Sequence, residues 1–529
     1  MNKRLSLISL LSFLVLSCSM NEHSIEADLS NNIEIQNIVQ ANKTISHENL
    51  TKKSENNWLL LFYMNGDNEQ NDSIYEKLFN ISKGIRYLRT EQNTPKVFFD
   101  TVTALVLWDG YNKKSSKTKH YHSETSLCEF VYPPNTEKKD FLEDSSQYLN
   151  NLSENIDWIA NNDNELNLGS EETLEFFLSW SIKNYTASNI VLIFDGPSTG
   201  PFGSSDSRTA TYDESSDYDY LTTDEISVAL KNAGFSQTNK IDLIISNTEF
   251  SATIEDAYEL KNYAKAYIAY PSGIPTAGLP YHRFLQSFTK DSTIQSIGIN
   301  AVNIFASYYH KTNTIDSDHN IASISFIDLS FIDAVKNAID PLASYIVDNS
   351  TQKKVDNGTY SYLECLRNNT YGFLNFDESS KTFITDYAMF YRCVYKYTDE
   401  ADAYSWGHFF TFDLGYFCTA MLQTAQKNGD RSIQNNSSLL LKSLQKAIVA
   451  SWRNNSSTQE PKGYYPSYIE ENNADINYLG LTITGSSKAT QNTSANTFYF
   501  QPYARKNLDF QTESNWFTLL KTAFPEQFE

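Results

Sequence analysis

The feature that most constrains this chain is a series of four short apolar runs, each followed by polar turn residues. The runs are six to eight residues long and stand between segments with the periodicity of helices. They are Trp58–Met64, 101–108, 189–194 and 240–245. Strands that are apolar on both faces belong to parallel sheets, because helices must then cover both sides. We therefore predict an α/β fold, a three-layer α/β/α sandwich with a mostly parallel central sheet.

The carboxyl ends of these strands define where functional groups are expected. In an open parallel sheet the ends meet at one edge, and ligands bind just beyond them. The candidates are therefore the polar residues that follow the four runs: Asn65–Asn68, Asp109, 195–199 and 247–251.

The second half of the chain carries weaker signals. The sequence has 529 residues, which is more than one hydrophobic core normally holds. Its pattern predicts helices at 301–309 and 439–452, and a strand that leads into a helix at 321–331. We expect residues 301–529 to form an α+β extension that enlarges or flanks the sheet of residues 57–300.

The charge of the chain argues against one class of partner. Acidic residues outnumber basic ones by 64 to 42, which gives a net charge of -22. Proteins that bind nucleic acid need basic patches to neutralise phosphates, and no basic run stands outside the N-terminus. We predict no nucleic-acid partner.

The five cysteines do not form the close pairs that zinc or redox sites use. One of the five, Cys18, belongs to the N-terminal signal treated below. The other four allow either one disulfide or buried free thiols, and both alternatives stay open. They are Cys128, Cys365, Cys393 and Cys418.

The N-terminal sequence is typical of an export signal. Lys3 and Arg4 precede an apolar stretch at 5–16, which is too short to span a bilayer and is typical of a signal peptide at 1–17. The run Val-Leu-Ser-Cys that ends at Cys18 resembles the lipobox of bacterial lipoproteins, which implies cleavage before Cys18 and its acylation. Residues 18–56 are polar, and we predict a disordered tether. The expected location is the bacterial cell envelope, anchored by lipid to a membrane that the sequence does not specify.

Several motifs, in a fixed order, resemble those of clostripain-like cysteine peptidases. The first is the Trp-led strand that ends Tyr-Met-Asn-Gly-Asp-Asn at Asn68, and the second is Glu-Leu-Asn-Leu-Gly at 165–169. The others are Leu-Thr-Thr-Asp-Glu-Ile at 221–226, Glu-Asp-Ala-Tyr at 255–258 and Ile-Pro-Thr-Ala-Gly-Leu-Pro-Tyr at 274–281. The resemblance implies a caspase-like fold for residues 57–300, with a catalytic histidine and cysteine after neighbouring parallel strands.

The residues that such a peptidase uses for catalysis are replaced at the matching positions. Asp195 stands where the resemblance places the histidine, and Glu249 where it places the cysteine. Asn247 stands where the family has an aspartate that holds a basic side chain of the substrate. A cysteine peptidase needs a thiolate and a nearby imidazole. The resemblance therefore implies a pseudopeptidase, with no intact catalytic residue.

Three kinds of function remain open. The first is a binding or scaffold protein that holds a peptide or an envelope protein in a vestigial groove, and the second is a purely structural role. The third is an enzyme: a hydrolase that uses Asp195 and Glu249 or a displaced hydroxyl, or an active cysteine peptidase if the alignment is wrong. Asp67 and Asp109 are further binding candidates. We predict no resident cofactor, although the Asp195 and Glu249 pair could hold Ca²⁺, with Asn65, Asp67 and Asp109 as additional oxygen ligands. The displaced hydroxyls would be Ser198, Ser246, Thr248 or Ser251.

Overall fold

The structure is a computed structural model. With gaps of one or two residues, it describes residues 58–90, 102–110, 124–131, 148–161, 165–198, 212–309, 322–349, 411–453, 479–485 and 508–523. Four short strands between 353 and 386 and a few isolated positions are also described. Among these residues, no helix has the length and apolar character needed to cross a membrane.

The strands are numbered in chain order. They are β1 (Trp58–Gly66), β2 (Val102–Gly110), β3 (Ser126–Phe130), β4 (Leu149–Asn151), β5 (Asn189–Asp195), β6 (Tyr212–Asp213), β7 (Asp219–Tyr220), β8 (Ile241–Asn247), β9 (Ala264–Ala269), β10 (Ser323–Asp328), β11 (Lys353–Val355), β12 (Gly358–Tyr360), β13 (Phe373–Asp377), β14 (Thr382–Asp386), β15 (Thr411–Asp413), β16 (Ile448–Arg453) and β17 (Thr482–Thr484).

The helices follow the same convention. They are α1 (Asn71–Thr90), α2 (Asp157–Asn161), α3 (Glu171–Asn184), α4 (Thr223–Asn232), α5 (Ile254–Leu260), α6 (Tyr281–Phe284), α7 (Ile294–Tyr309), α8 (Ile332–Asp348), α9 (Leu414–Lys427), α10 (Arg431–Ala447), α11 (Asp509–Glu513) and α12 (Trp516–Ala523).

One nine-stranded sheet organises the fold, in the order β16-β10-β9-β8-β5-β1-β2-β3-β4. The five central strands, from β9 to β2, run parallel to one another. Two strands at each end run antiparallel to their neighbours. The sheet is therefore mostly parallel, and the C-terminal part of the chain extends it through β10 and β16. This confirms the predicted α/β class and its C-terminal extension.

Helices cover both faces of the sheet, which produces two separate hydrophobic cores. Leu59, Leu61 and Tyr63 of β1 belong to one core, and Leu60 and Phe62 belong to the other. Successive side chains of a strand point to opposite faces, so a strand that is apolar throughout is buried on both. The first core is lined by helices such as α3, α4, α5 and α8, and the second by α1, α6 and α7.

The start of α4 shows how the local sequence sets a helix boundary. The Thr222 side chain accepts from the backbone N–H of Glu225, and the Glu225 carboxylate accepts from the backbone N–H of Thr222. This reciprocal pair satisfies two N–H groups that a helix start otherwise leaves free. The helix therefore begins at Thr223, because Thr222 is its cap.

One helix prediction in the second half is wrong in part. The apolar pattern at 439–452 predicted a single helix, but α10 ends at Ala447 and residues 448–453 form β16. Strand β16 pairs with β10 at the edge of the main sheet. Pairing with an exposed sheet edge can outweigh a helical pattern, and the β-branched residues Ile448 and Val449 suit a strand.

Two positions within the predicted tether contact the folded body. His47 Nδ1 lies 2.7 Å from Asp328 Oδ2, and Leu50 is fully buried. The compact unit of the fold accordingly spans His47–Glu529. The other positions of the predicted signal peptide and tether up to residue 46, including Cys18, lie outside the described residues.

Candidate functional site

Asp195 is the last residue of β5 and lies at the carboxyl edge of the sheet, where functional groups were expected. Its side chain is fully buried and accepts three short hydrogen bonds. Lys77 Nζ donates to Oδ1 at 2.6 Å, while Asn247 Nδ2 and the Tyr281 hydroxyl donate to Oδ2, each at 2.6 Å. Burial and the charge of Asp195 hold the pKa of Tyr281 well above its usual range. The carboxylate is thus enclosed by donors.

Lys77 reaches Asp195 from α1 and is itself almost fully buried. It shares the face of α1 that carries Ile74, Leu78 and Ile81, which pack in the second core. A lysine within an apolar stripe of a helix is a signal of a buried partner, because an unpaired charge is costly to bury. Sequence reasoning missed Lys77, and this spacing could have revealed it.

Asn247 ends β8 directly beside Asp195, as its register partner in the sheet. Its side chain is 1% exposed, and both ends of its amide are bonded: Nδ2 donates to Asp195, and Oδ1 accepts from the backbone N–H of Leu279 at 3.0 Å. Gly278 packs against the same amide, with φ of +59° and room for no side chain. The position that the resemblance assigns to substrate specificity is filled by the protein's own chain.

Glu249 lies in the turn after β8 and is only partly buried. Its Oε1 accepts from the backbone N–H of Ile274 at 3.4 Å. The next residue, Phe250, is buried and has φ of +53°, a left-handed conformation that is costly for a bulky side chain. This turn therefore keeps a strained backbone at Phe250, one residue after the position where the resemblance places a nucleophile.

The hydroxyl groups considered as displaced nucleophiles are engaged in the same turn. Ser246 Oγ and Thr248 Oγ1 lie 2.9 Å apart, and both residues are buried. Ser251 Oγ donates to the Thr248 carbonyl and accepts from the backbone N–H of Tyr270. These contacts match the pattern of hydroxyls that stabilise turns. The fourth candidate, Ser198, is 4% exposed and follows β5.

His282 is the histidine nearest to this region in sequence, on the short helix α6. Burial lowers its pKa, and the nearby charges of Lys83 and Arg283 lower it further. Its Nδ1 is buried without a hydrogen-bond partner. A neutral imidazole can act as a base, but none of the hydrogen bonds described for Ser246, Thr248 and Ser251 involves His282.

A second group of carboxylates lies at the same edge of the sheet. Asp67 follows β1, Asp109 lies in β2, and Asp213 ends the short strand β6. All three are fully buried, and one oxygen from each lies within 4.8 Å of the others. The sequence predicted the first two as binding residues but missed Asp213. The acidic stretch at 213–219 was the available signal.

Ionising the carboxylates of this acidic cluster is costly, because they are buried and close to one another. Burial raises the pKa of Asp109 well above its usual range, and the charges of Asp213, Glu165 and Asp67 raise it further. Burial likewise raises the pKa of Asp213 to about 7. Carboxylates that share a buried site cannot all ionise unless a cation or hydrogen bonds compensate.

A sequence profile of the clostripain family matches residues 62–522. This chain belongs to the clostripain family. Its fold resembles that of a secreted C11 cysteine protease from Bacteroides thetaiotaomicron bound to an irreversible peptide inhibitor, with 14% identity and a TM-score of 0.52 over 87% of this chain and 99% of that chain. An inactive zymogen C11 protease from Parabacteroides distasonis is 16% identical, with a TM-score of 0.49 over 87% and 98% of the two chains. No curated protein matches the sequence significantly.

The first of these likenesses confirms the predicted caspase-like fold. A family match over this length also confirms the resemblance read from the motifs. In this clostripain-family chain, the structure brings Asp195 and Asn247 into direct contact, whereas the described contact of Glu249 is with Ile274. Asp67 and Asp109 join a different set of residues, around Asp213.

Two of the cysteines lie in the described ranges, and both are free and buried. Burial raises the pKa of the Cys128 thiol to about 12 and that of the Cys418 thiol well above its usual range. Thiols of this kind are unreactive, because the thiolate is the nucleophile. For these two, the free-thiol alternative is the correct one. Cys365 and Cys393 lie outside the described residues.

Proposed function

We propose that this clostripain-family protein has lost peptidase chemistry and acts by binding a peptide or an envelope protein. The observation that carries the proposal is the environment of Asp195, which stands at the histidine position of the family and is buried beneath three hydrogen-bond donors. A carboxylate buried in this way presents no accessible oxygen to a substrate. The fold is kept, while the groups that would carry the reaction are replaced.

The pairing with Lys77 argues most strongly against a base or an acid at this position. A general base must take a proton from the nucleophile and later deliver it to the leaving amine. The Lys77 ammonium lies 2.6 Å from Asp195 Oδ1, so a donor of the protein itself already occupies this oxygen. Losing either member of a nucleophile–base pair removes most of the rate enhancement in comparable enzymes.

The state of Asn247 argues against a basic substrate side chain at the family's specificity position. An arginine or lysine needs a carboxylate partner when it is desolvated. Asn247 carries no charge, and its amide is already bonded to Asp195 and to Leu279. Any partner bound by this protein would therefore contact other parts of the sheet edge, such as the partly exposed Glu249.

Peptide cleavage provides the direct test. The full chain in detergent is assayed with labelled peptides that carry arginine or lysine before the scissile bond, and we expect no turnover. The restored variant Lys77→Leu/Asp195→His/Asn247→Asp/Glu249→Cys should gain cleavage. Lys77 is replaced as well, because its ammonium would keep a histidine at position 195 neutral and so unable to protonate the leaving amine.

The matched control is the same fourfold variant with Glu249→Ala in place of Glu249→Cys. It keeps every other change but has no thiol, so it should not cleave the peptides. Turnover by the unmodified chain would overturn the proposal. Loss of that turnover in Cys365→Ala or Cys393→Ala would then locate a cysteine nucleophile outside the described residues.

Binding is tested separately from catalysis. The unmodified chain is immobilised and offered peptide libraries and solubilised envelope proteins, and we expect at least one saturable interaction. Glu249→Lys should weaken it if the partner lies across the sheet edge, while Glu154→Lys, which alters an acid preceding α2, should not. Absence of any saturable binding would favour the purely structural role.

We also propose that the protein is held in the bacterial cell envelope by acylation of Cys18. The support is the lipobox-like run that follows the basic and apolar N-terminal segment. Metabolic labelling with an alkyne fatty acid in a bacterial host should label the chain, and Cys18→Ser should abolish the label while Cys128→Ser keeps it. Unlabelled wild-type protein in the membrane-free fraction would contradict the proposal.

A further inference from the structure

The two helical layers that cover the sheet differ in charge. In the first layer, which covers the first core, helices α3, α4 and α8 carry at least two acids each. In the second layer, which covers the second core, α6 and α7 carry none, and the acids of α1 stand in its first two turns, at Asp72 and Glu76. The chain as a whole has a net charge of -22, so a layer this poor in acids is unusual.

Basic side chains gather on this second layer. Lys83 and Arg86 lie about one helical turn apart on α1, and His282 and Arg283 lie on α6. Lys83 and Arg283 are exposed, while Arg86 and His282 are partly buried. We call these four residues the basic face. Its two halves stand far apart in the sequence, which is why no run of bases reveals it there.

Close packing of α1 against α6 brings the two halves of the basic face together. Gly84 of α1 has no room for a side chain, because an added Cβ would lie 2.8 Å from Cδ1 of Leu285, which directly follows α6. The pKa of His282 reflects the same proximity, since burial lowers it and the charges of Lys83 and Arg283 lower it further. Both charged groups that act on this imidazole are cations, so the basic face concentrates charge of one sign.

Lys83 and Arg283 are available to an external anion. The Arg283 guanidinium lies 5.5 Å from the centre of the Tyr308 ring, a cation–π contact that positions the group and leaves its charge in place. Among the residues that the structure describes, no carboxylate forms an ion pair with Lys83 or Arg283. The positive charge of both side chains is therefore directed to the surface of the second layer.

The chain enters the folded body beside the same layer. Leu50, which stands shortly before β1 in the sequence, is fully buried and belongs to the second core, the one that α1, α6 and α7 line. The segment that follows the proposed lipid anchor at Cys18 thus joins the body through the core that the basic face covers. The charge and the point of entry both assign a membrane contact to this layer.

We propose that the basic face docks on the anionic phospholipid headgroups of the membrane, as a second contact beside the acyl group at Cys18. The proposal rests on the envelope location proposed above. Stable anchoring commonly combines a lipid with a basic patch, and each Lys or Arg near an anionic surface strengthens binding by about fivefold. The same surface repels the acids of the first layer, so the difference in charge also determines which layer faces the membrane.

The experiment measures vesicle binding without the acyl group. Full-length Cys18→Ser protein is sedimented with vesicles of phosphatidylcholine alone and with vesicles that also contain phosphatidylglycerol. We expect stronger binding to the anionic vesicles, and added salt should weaken it. Lys83→Gln/Arg283→Gln in the same background should weaken this binding by about 25-fold, because it removes two charges from the basic face. All variants share one N-terminus, so the contribution of Lys3 and Arg4 cancels in the comparison.

The matched control is Lys183→Gln/Lys231→Gln, which removes two exposed lysines from α3 and α4 in the first layer and should leave vesicle binding unchanged. Brief lysine acetylation followed by peptide mapping gives a second readout, in which anionic vesicles should protect Lys83 and leave Lys231 accessible. Equal losses for the two double variants, or equal binding to neutral and anionic vesicles, would overturn the proposal. Protection of Lys83 by inorganic phosphate but not by vesicles would assign the basic face to a soluble anion and overturn membrane docking.

A failure of the proposed acylation is seen separately, in the fatty-acid labelling of the wild-type chain. An unlabelled wild type would remove the lipid anchor and leave the vesicle result of the Cys18→Ser chain as it is. A labelled wild type, together with a Cys18→Ser chain that does not distinguish the two kinds of vesicle, would remove the docking face and keep the anchor.

Discussion

Lys77 Nζ lies 2.6 Å from Asp195 Oδ1, and their side chains are 5% and 0% exposed. The pair joins α1 to the carboxyl end of β5, at the position where the family resemblance places a catalytic histidine. A buried pair stays favourable only when further hydrogen bonds satisfy the remaining oxygens, and Asn247 and Tyr281 supply them here. Asp195 and its three hydrogen-bond donors are therefore part of the folded core.

Removing one partner of this pair should be strongly destabilising. Lys77→Met leaves the Asp195 carboxylate buried without its cation, and we expect the free energy of unfolding to fall by roughly 3–5 kcal/mol. Denaturant titration measures the loss. Lys265→Met is the matched control, because Lys265 pairs with Asp242 at the same 2.6 Å but is 39% exposed, and exposed pairs contribute about 0–1 kcal/mol.

The double variant Lys77→Met/Asp195→Asn should recover much of that stability, since it removes both charges. If Lys77→Met and Lys265→Met lowered the free energy of unfolding equally, the buried pair would contribute no more to stability than the exposed one.

Gly278 should be intolerant of a side chain because of its contact with Asn247. An added Cβ would lie 2.5 Å from Asn247 Nδ2, and φ is +59°. Gly278→Ala should therefore destabilise more than Gly234→Ala, which has φ of +97° but nothing within 4 Å. The left-handed backbone alone costs about 1–2 kcal/mol in either variant. Any additional loss of stability in Gly278→Ala therefore measures the cost of the contact with Asn247. Thermal unfolding of both variants is the test, and equal losses would contradict the packing described.

Stability should fall as the pH rises from about 4 to about 8. Burial is the main cause that raises the pKa of Glu255 and Glu259 to about 7 and that of Asp256 to about 8. In this window the unfolded chain has lost protons that the folded chain retains, so each group lowers the free energy of unfolding by up to ~1.4 kcal/mol per pH unit. The loss is complete above the folded pKa values.

Glu255→Gln should make this decline less steep, because it removes one titrating group and keeps an oxygen that can accept from the backbone N–H of Thr484. Denaturant titrations at pH 5, 6, 7 and 8 compare the two chains. A wild-type stability that rises across this range would be incompatible with protonated acids on α5.

The described thiols should resist modification until the chain unfolds. Cys128 and Cys418 are buried, and their raised pKa values leave almost no thiolate at neutral pH. Peptide mapping by mass spectrometry after brief iodoacetamide treatment should find both unmodified in the native protein and both modified in denaturant. Rapid native labelling of Cys418 would show that the core around α9 opens readily.

The sequence by itself determined the class of fold and the place where the site lies. Strands apolar on both faces, such as β1 and β5, are stable only in a sheet covered on both sides, so the α/β sandwich followed from local pattern. Because the ends of parallel strands meet at one edge, Asp67, Asp109, Asp195 and Asn247 were correctly predicted to lie there. The capped start of α4 was likewise readable, since its two partners are only three residues apart.

Only the tertiary structure decided how those residues are paired. Lys77 meets Asp195 across 118 positions of sequence, and Asp213 meets Asp67 and Asp109 through a segment with little pattern of its own. The end of α10 at Ala447 also depended on a partner, because β16 forms where β10 offers an edge. Contacts between distant residues depend on packing geometry, which local periodicity does not encode. The chain's own pattern thus fixed the sheet edge, and packing determined which side chains there are buried, bonded and charged.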